Sequence, residues 1–357
     1  MNKAKLVLED GTVFDGESAG YKKSTAGEVV FATGMVGYEQ SLTDPSYAGQ
    51  ILTFTYPLIG NWGVPTRNYW ESEKIQVKAV IISDLTTKPN HHASTQTLNE
   101  WLVSQKIPAL IGIDTRRLTQ KLRDKGVMLG KVITDGEDTA FFDPNQTNLV
   151  ATVSPKKLKI HKGGKIKIGL LNCGAKDNIK NNLLMRGATV YELPWNLDPF
   201  EKNLPIEGLV ISNGPGNPKM AKKSIDIIKK SLSRKIPTFG ICLGNQLLAL
   251  AAGGDTDKLK FGHRAQNQPT IQVEDTEKSR SVNTKRCYIT TQNHGYTVDE
   301  KKLPAGFKRW FYNANDNSNE GLIHQKLPFF SVQFHPEATP GPTDTNWLFD
   351  FFMDKFK

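Results

Sequence analysis

The stretch Thr238–Leu250, TFGICLGNQLLAL, places a cysteine at the junction of two different patterns. The apolar run before Cys242 predicts a short buried strand, and the residues after it predict a helix that begins at once. Gly240 and Gly244 flank the cysteine, so strand and helix approach closely and the side chain is held on a strained turn. A helix N-terminus favours a thiolate, and the Leu243 N–H is placed to bind an oxyanion. The corner therefore indicates a cysteine nucleophile, although a buried structural cysteine also fits the pentapeptide taken alone.

Strand and helix patterns alternate on both sides of this corner. Short apolar runs such as KIKIGLLNCG, GLVISNGPGNP and IPTFGI are separated by amphipathic stretches such as KSIDIIKKSLSRK. This alternation predicts right-handed crossovers and a mainly parallel, doubly wound α/β sheet. In such sheets functional residues lie at the carboxyl ends of the strands, where Cys242 is expected.

The N-terminal part shows a different order of predicted strands and helices. It shows strand patterns at residues 4–14, 29–33, 50–65 and 74–85. Two helices are predicted, Ser94–Lys106 with Ser94 as N-cap and Asp114–Gly126 with Asp114 as N-cap and Gly126 as stop. We expect a separate mixed α/β domain over residues 1–140, a linker over 141–164 and the doubly wound domain over 165–357.

Composition excludes several classes of function. The 357 residues contain three cysteines and no CxxC pair, which argues against a disulfide framework and a cysteine metal site; no metal is expected. We see no long apolar segment, signal peptide or transit peptide, and expect a cytoplasmic protein. The net charge of +10 comes from scattered residues, except for the lysine-rich stretch Ser154–Gly169. We interpret that stretch as a solvated linker and strand edge, with a partner-protein contact as the alternative, and expect no nucleic-acid binding.

A thiol nucleophile needs a base and a group that orients the base. In FFSVQFHPE an apolar strand leads to His335, and Glu337 follows two residues later. An extended His-Pro-Glu segment would point both side chains to the same side, so Glu337 would hold one ring nitrogen while the other faces the sulfur. We therefore predict His335 as the base.

The remaining cysteines and histidines are weaker candidates. Cys173 also ends a strand beside a glycine but lacks the Gly-x-Cys-x-Gly flanks, and Cys287 is expected to serve packing. His263 and His294 lie in predicted loops and stay open as candidates, and His324 is expected to be structural. The histidines in polar stretches are expected at the surface: His91, His92 and His161.

GICLGNQ together with FHPE and SNGPGNP resembles the class I triad glutamine amidotransferases. The segments GEVVFATGMVGYEQSLTDPSYAGQILTFTYPLIGNWG and GIDTRRLTQKLRDKG are similar to the small-chain domain of carbamoyl-phosphate synthetases. The resemblance implies Cys242 as nucleophile, His335 as base and acid, and Glu337 as the group that orients the histidine. It also implies a set of glutamine contacts: Ser46, Gly214, Gly216, Leu243, Gln246, Asn293, Gly295 and Tyr296. The chain departs from the common family pattern at Asn245, Ala265 and Gln268, which leaves the triad intact.

The resemblance further implies a partner. No Walker loop is present, so ATP and Mg²⁺ are expected on a large synthetase chain, and no cofactor is expected here. Because the sequence stops at Lys357, we expect that large chain to be a separate polypeptide, in one small–large pair or a higher oligomer of such pairs. The ammonia would then enter carbamoyl phosphate for arginine synthesis, pyrimidine synthesis or both. Two alternatives are a stand-alone cysteine hydrolase, such as a γ-glutamyl peptidase, and a degenerate regulatory subunit.

Overall fold

The computed structural model describes residues 3–134, 136–273 and 286–357. The chain divides into two compact units, Met1–Leu149 and Val150–Lys357, and the division falls inside the segment predicted as a linker. None of the helices in these described ranges is both long and apolar enough to span a bilayer.

The first unit is built on a closed barrel of seven strands in the order β1-β2-β8-β6-β4-β3-β9. Its elements follow in chain order: β1 Lys3–Leu8, β2 Val13–Gly20, β3 Thr25–Ala32, α1 Tyr38–Thr43, β4 Gln50–Phe54, β5 Leu58–Ile59, β6 Ala79–Ile81, β7 Asp84–Leu85, α2 Leu98–Ser104, β8 Pro108–Ile111, α3 Thr115–Lys125 and β9 Met128–Thr134. The pairs β3–β4, β4–β6 and β6–β8 are parallel, and the other barrel pairs are antiparallel. The mixed α/β prediction for this region therefore takes the form of a barrel with three helices.

Local capping fixes the helix bounds in this unit. The predicted caps of α3 are confirmed, because Asp114 accepts from the Arg117 N–H at 2.8 Å and Gly126 takes a φ of 101° at the C-cap. The predicted N-cap of α2 is wrong: the helix begins after Thr97, whose side chain forms a capping box with Glu100. Ser94 was a plausible cap by residue type, but the reciprocal Thr–Glu pair is the arrangement that satisfies the backbone.

The second unit contains the predicted alternation of strands and helices. Its elements follow in chain order: α4 Val150–Val153, β10 Lys159–His161, β11 Ile166–Asn172, α5 Asp177–Met185, β12 Ala188–Pro194, β13 Gly208–Ile211, α6 Lys222–Ser233, β14 Thr238–Ile241, α7 Leu243–Ala251, β15 Thr256–Gln272, β16 Cys287–Val298, β17 Phe307–Asn313, β18 Asn319–His324, β19 Phe329–Val332 and α8 Trp347–Met353.

The strands of this unit form one sheet in the order β10-β12-β11-β13-β14-β19-β18-β17-β15-β16. The run β12-β11-β13-β14-β19 is parallel, as predicted. All pairings outside that run are antiparallel, so the expectation of a mainly parallel sheet is wrong for half of it. Periodicity identifies a strand but not its neighbour, and the chain after β14 contains hairpin connections rather than helical crossovers.

Helices cover both faces of the parallel run. Ile179 of α5 and Phe349 of α8 pack into one core with Phe239, while Ile228 of α6 and Leu247 of α7 pack into another. The parallel strands are accordingly apolar on both faces, as the continuous burial of β13, β14 and β19 shows. This packing places the carboxyl ends of β14 and β19 side by side.

The segment 141–164, predicted as a linker, contains secondary structure. Its strand β10 pairs antiparallel with β12 at the sheet edge. The lysines of Ser154–Gly169 are exposed except for Lys167, which agrees with a solvated strand edge.

Candidate active site

Cys242 occupies the predicted corner between β14 and α7. It is the N-cap of α7 and has φ 55° and ψ −103°, a backbone conformation that is costly for a residue with a Cβ atom. Its N–H donates to the Val332 carbonyl at 2.8 Å, which ties the corner to the neighbouring strand. The strained turn that the sequence predicts is therefore present, and it leaves Cys242 1% exposed.

The glycines on either side of the cysteine are required by close packing. A Cβ atom on Gly244 would lie 2.2 Å from the Ile211 carbonyl oxygen, and one on Gly240 would lie 2.5 Å from the Gly244 carbonyl oxygen. Both obstacles are backbone atoms, which cannot rotate away as a side chain can. The Gly-x-Cys-x-Gly spacing therefore allows the strand, the helix and the adjacent strand to meet at this corner.

His335 reaches the same end of the sheet from the adjacent strand. Ile241 of β14 and Val332 of β19 are paired in register, and His335 follows β19 by three residues. The His335 ring donates through Nδ1 to Glu337 Oε1 at 2.6 Å, a pairing that the sequence predicts. The predicted extended backbone is wrong, because the Ala338 N–H donates to the His335 carbonyl at 3.1 Å and closes a turn. The turn brings the two side chains together across Pro336.

Sequence reasoning missed Lys176, which lies between β11 and α5 and is 2% exposed. Its Nζ lies 3.1 Å from Glu337 Oε1, the same oxygen that accepts from His335, so a fully buried carboxylate has both a cation and an imidazole beside it. Burial opposes ionisation of Glu337, but the charges of Lys176 and His335 outweigh it and hold the pKa of Glu337 at about 2. The only sequence signal for Lys176 is its place directly after a strand that ends at the same edge of the sheet.

The carboxylate in turn controls the histidine. Burial alone would lower the pKa of His335, but the negative charge of Glu337 and the neighbouring Cys242 raise it to about 10. Within the described parts of the chain, His335 Nε2 is buried and has no hydrogen-bond partner. The Cys242 thiol donates to the Asn293 carbonyl, with Sγ and O 3.6 Å apart. A buried thiol beside an oriented imidazole is suited to form a thiolate–imidazolium pair and to pass a proton to a leaving group.

Several of the predicted glutamine contacts lie around this corner. Gln246 Nε2 donates to the Tyr296 carbonyl at 2.8 Å, and Gly214 packs so closely on Leu243 that a Cβ atom would lie 2.8 Å from its Cδ2. Asn293 contributes the carbonyl beside the thiol. For the other members, glutamine binding stays a prediction. Gly216 lies in the loop after β13, Gly295 lies on β16, and the Ser46 N–H donates to Asp44 Oδ1 in the first unit.

The other cysteines have different surroundings. Cys173 is fully buried, its Sγ lies 3.6 Å from Ser224 Oγ, and burial raises its pKa to about 12, so it is a poor nucleophile. Cys287 is exposed at the start of β16, and the expectation that it serves packing is wrong. The partly buried His161, expected at the surface, pairs with Glu192 at 2.7 Å.

Family models match both parts of the chain. The family model for glutamine amidotransferase class-I matches residues 169–355, and the model for the CPSase domain of the carbamoyl-phosphate synthase small chain matches residues 6–132. The solved structure of a glutamine amidotransferase from Thermotoga maritima is 20% identical, covers 55% of this chain and 85% of that chain, and has a TM-score of 0.39.

Two curated relatives match over nearly the whole chain. The arginine-specific small chain of carbamoyl phosphate synthase from Neurospora crassa is 44% identical, over 99% of this chain and 79% of that protein. The mitochondrial carbamoyl-phosphate synthase (ammonia) of Aquarana catesbeiana is 47% identical, over 99% of this chain and 24% of that protein. The chain thus spans about a quarter of the length of such larger relatives. It belongs to the class I glutamine amidotransferase family and carries the domain pair of carbamoyl-phosphate synthase small chains.

Proposed function

We propose that this protein is the glutaminase subunit of a carbamoyl-phosphate synthetase. It hydrolyses L-glutamine to glutamate and ammonia and delivers the ammonia to a large synthetase chain, which makes carbamoyl phosphate from bicarbonate and ATP. The observation that carries the proposal is the buried Cys242–His335–Glu337 arrangement on a strained strand–helix corner.

The chemistry follows from these groups. The Cys242 thiolate attacks the side-chain amide carbon of glutamine, and the carbon–oxygen double bond opens to a tetrahedral oxyanion. Backbone N–H groups of Leu243 and of the Gly214–Gly216 loop stabilise that oxyanion. Protonated His335 gives its proton to the amide nitrogen, and ammonia leaves as the γ-glutamyl thioester forms. His335 then removes a proton from water, which attacks the thioester and releases glutamate and the thiol.

A non-catalytic role is the second candidate, because one relative is named for ammonia rather than for glutamine. A subunit that only binds or regulates needs no oriented base. Here Lys176 keeps Glu337 ionised within the core, and Glu337 pairs with His335. Burying these charges costs desolvation free energy, which a subunit without a proton-transfer role has no need to spend. This observation favours hydrolysis.

The partner is proposed on the match to the Neurospora crassa small chain. Free ammonia in water is mostly protonated to ammonium near neutral pH. We therefore propose that ammonia passes to the large chain by an enclosed route. No metal or cofactor is needed for the hydrolytic steps assigned to this chain.

The experiment is a glutaminase assay on the chain with its large partner. We expect Cys242→Ser to abolish glutamate release from glutamine, while carbamoyl phosphate synthesis from added ammonia continues. Cys173→Ser is the matched control, because Cys173 is equally buried but its sulfur faces Ser224, and it should keep glutamine turnover. Full turnover in Cys242→Ser would overturn the proposal.

A further inference from the structure

Three strands of the antiparallel half bring two imidazoles and a carboxylate together. His263 of β15, His294 of β16 and Glu320 of β18 are all buried, and one ligand atom from each lies within 4.8 Å of the others. None of the three has a role in the hydrolytic steps described above. Buried titratable groups in such proximity are costly unless something compensates them.

The partners of the two histidines fix which nitrogens face the cluster. His263 Nε2 lies 2.9 Å from an Asp316 carboxylate oxygen, and His294 Nδ1 lies 2.9 Å from the Tyr296 carbonyl oxygen. Both partners only accept hydrogen bonds, so these ring nitrogens are the donors. His263 Nδ1 and His294 Nε2 therefore point inward, and each offers a lone pair there when its ring carries a single proton. Metal-bound histidines use the same arrangement, with the second nitrogen donating to a carboxylate or a carbonyl.

Gln292 offers a fourth ligand atom. Gln292 Oε1 lies 2.9 Å from His263 Nδ1 and 3.1 Å from His294 Nε2, and Glu320 Oε1 lies 3.5 Å from His263 Nδ1. A tetrahedral site with metal–ligand bonds of about 2.0–2.1 Å has edges of about 3.3–3.4 Å. A bound ion would therefore draw in the ligand atoms of His263, His294 and Glu320, which lie within 4.8 Å of one another. The amide is oriented by Nε2, which donates to Thr290 Oγ1 at 3.2 Å.

The carboxylate of the cluster is only partly satisfied. Asn313 Nδ2 donates to Glu320 Oε1 at 3.2 Å. Among the described residues, Glu320 Oε2 is buried without a hydrogen-bond partner. A cation held between the two histidines would compensate this buried carboxylate.

We propose that His263, His294, Glu320 and Gln292 bind one Zn²⁺ ion. Two imidazoles and two oxygens suit zinc, and four protein ligands make the site structural rather than catalytic. His294 follows Asn293, whose carbonyl accepts from the nucleophile thiol. The ion would therefore fix the β16 segment that lines the active site.

The test is zinc and cobalt binding to the full chain in a Cys242→Ser/Cys287→Ser background, which removes the active-site thiol and the exposed thiol. We expect one Zn²⁺ per chain after dialysis and the visible absorption of tetrahedral Co²⁺. Glu320→Gln should abolish stoichiometric binding. Asp316→Asn, at an exposed position that should not disturb folding, should weaken it about 10–100-fold. The exposed pair His91→Ala/His92→Ala is the control and should bind as before.

The proposal is overturned if the metal fails to bind, if Asp316→Asn and Glu320→Gln leave binding intact, or if the His91/His92 control removes it. Anomalous diffraction from zinc-soaked wild-type crystals gives an answer that does not depend on any variant folding. A peak between His263 Nδ1 and His294 Nε2 supports the site. A peak only at Cys242, or no peak, contradicts it.

Discussion

Replacing Lys176 by Met removes the cation that holds Glu337 ionised in the core. The charged atoms are 3.1 Å apart, and two unit charges at that distance attract by about 5 kcal/mol at an effective dielectric constant of about 20. Breaking a buried pair by removing one partner costs about 3–5 kcal/mol, because the remaining charge is left uncompensated. We therefore expect Lys176→Met to lower the free energy of unfolding by about 3–5 kcal/mol near pH 7.

The effect should depend on pH with a definite sign. The folded-state pKa of Glu337 is below its ordinary value, so its stabilisation is present above about pH 4.5 and is lost as pH falls through about 2. Without Lys176 the pKa of Glu337 rises, and the same loss should appear at higher pH in Lys176→Met than in the wild type.

The assay is denaturant unfolding followed by fluorescence at several pH values. Lys180→Met is the matched control, since Lys180 pairs with Asp177 at a partly exposed position and should contribute less than about 1 kcal/mol. Adding Glu337→Gln to Lys176→Met should restore much of the stability but not the glutaminase activity. Equal, small losses for Lys176→Met and Lys180→Met would refute this reasoning.

Three further predictions concern the same corner. Glu337→Gln should lower kcat on the order of 10⁴-fold in a glutaminase assay, because the amide can donate to His335 Nδ1 and force the wrong tautomer; a wild-type kcat would contradict this. Gly244→Ala, with a Cβ atom 2.2 Å from the Ile211 oxygen, should cost about 1–3 kcal/mol in denaturant unfolding. Gly295→Ala would meet only a flexible side chain and should unfold like the wild type. The stabilisation from protonated His335 is complete below about pH 6.5 and is lost as pH rises through about 10. Between these pH values the free energy of unfolding of the wild type should therefore fall more than the free energy of unfolding of His335→Gln.

The local structure around Cys242 could be predicted because its causes are local. The apolar run before the glycine-flanked cysteine forms the strand β14, and the helix-forming residues after it form α7. The same holds for α3, whose cap and stop residues lie within the segment itself.

The features that the sequence did not predict depend on distant parts of the chain. The antiparallel half of the sheet is set by which strands pair, and periodicity carries no information on that choice. Lys176 pairs in the core with Glu337, which is far away in sequence. The turn at His335–Ala338 replaces the expected extended segment, although the predicted side-chain pair forms in either backbone.

The most direct test of the central claim is a peptide map after treatment with an electrophilic glutamine analogue, with and without excess glutamine. A Cys242 nucleophile predicts a single adduct on Cys242 that glutamine suppresses, in the isolated chain or in its complex with the large chain. An adduct on Cys173 instead, or labelling of several cysteines that glutamine does not prevent, would contradict the assignment.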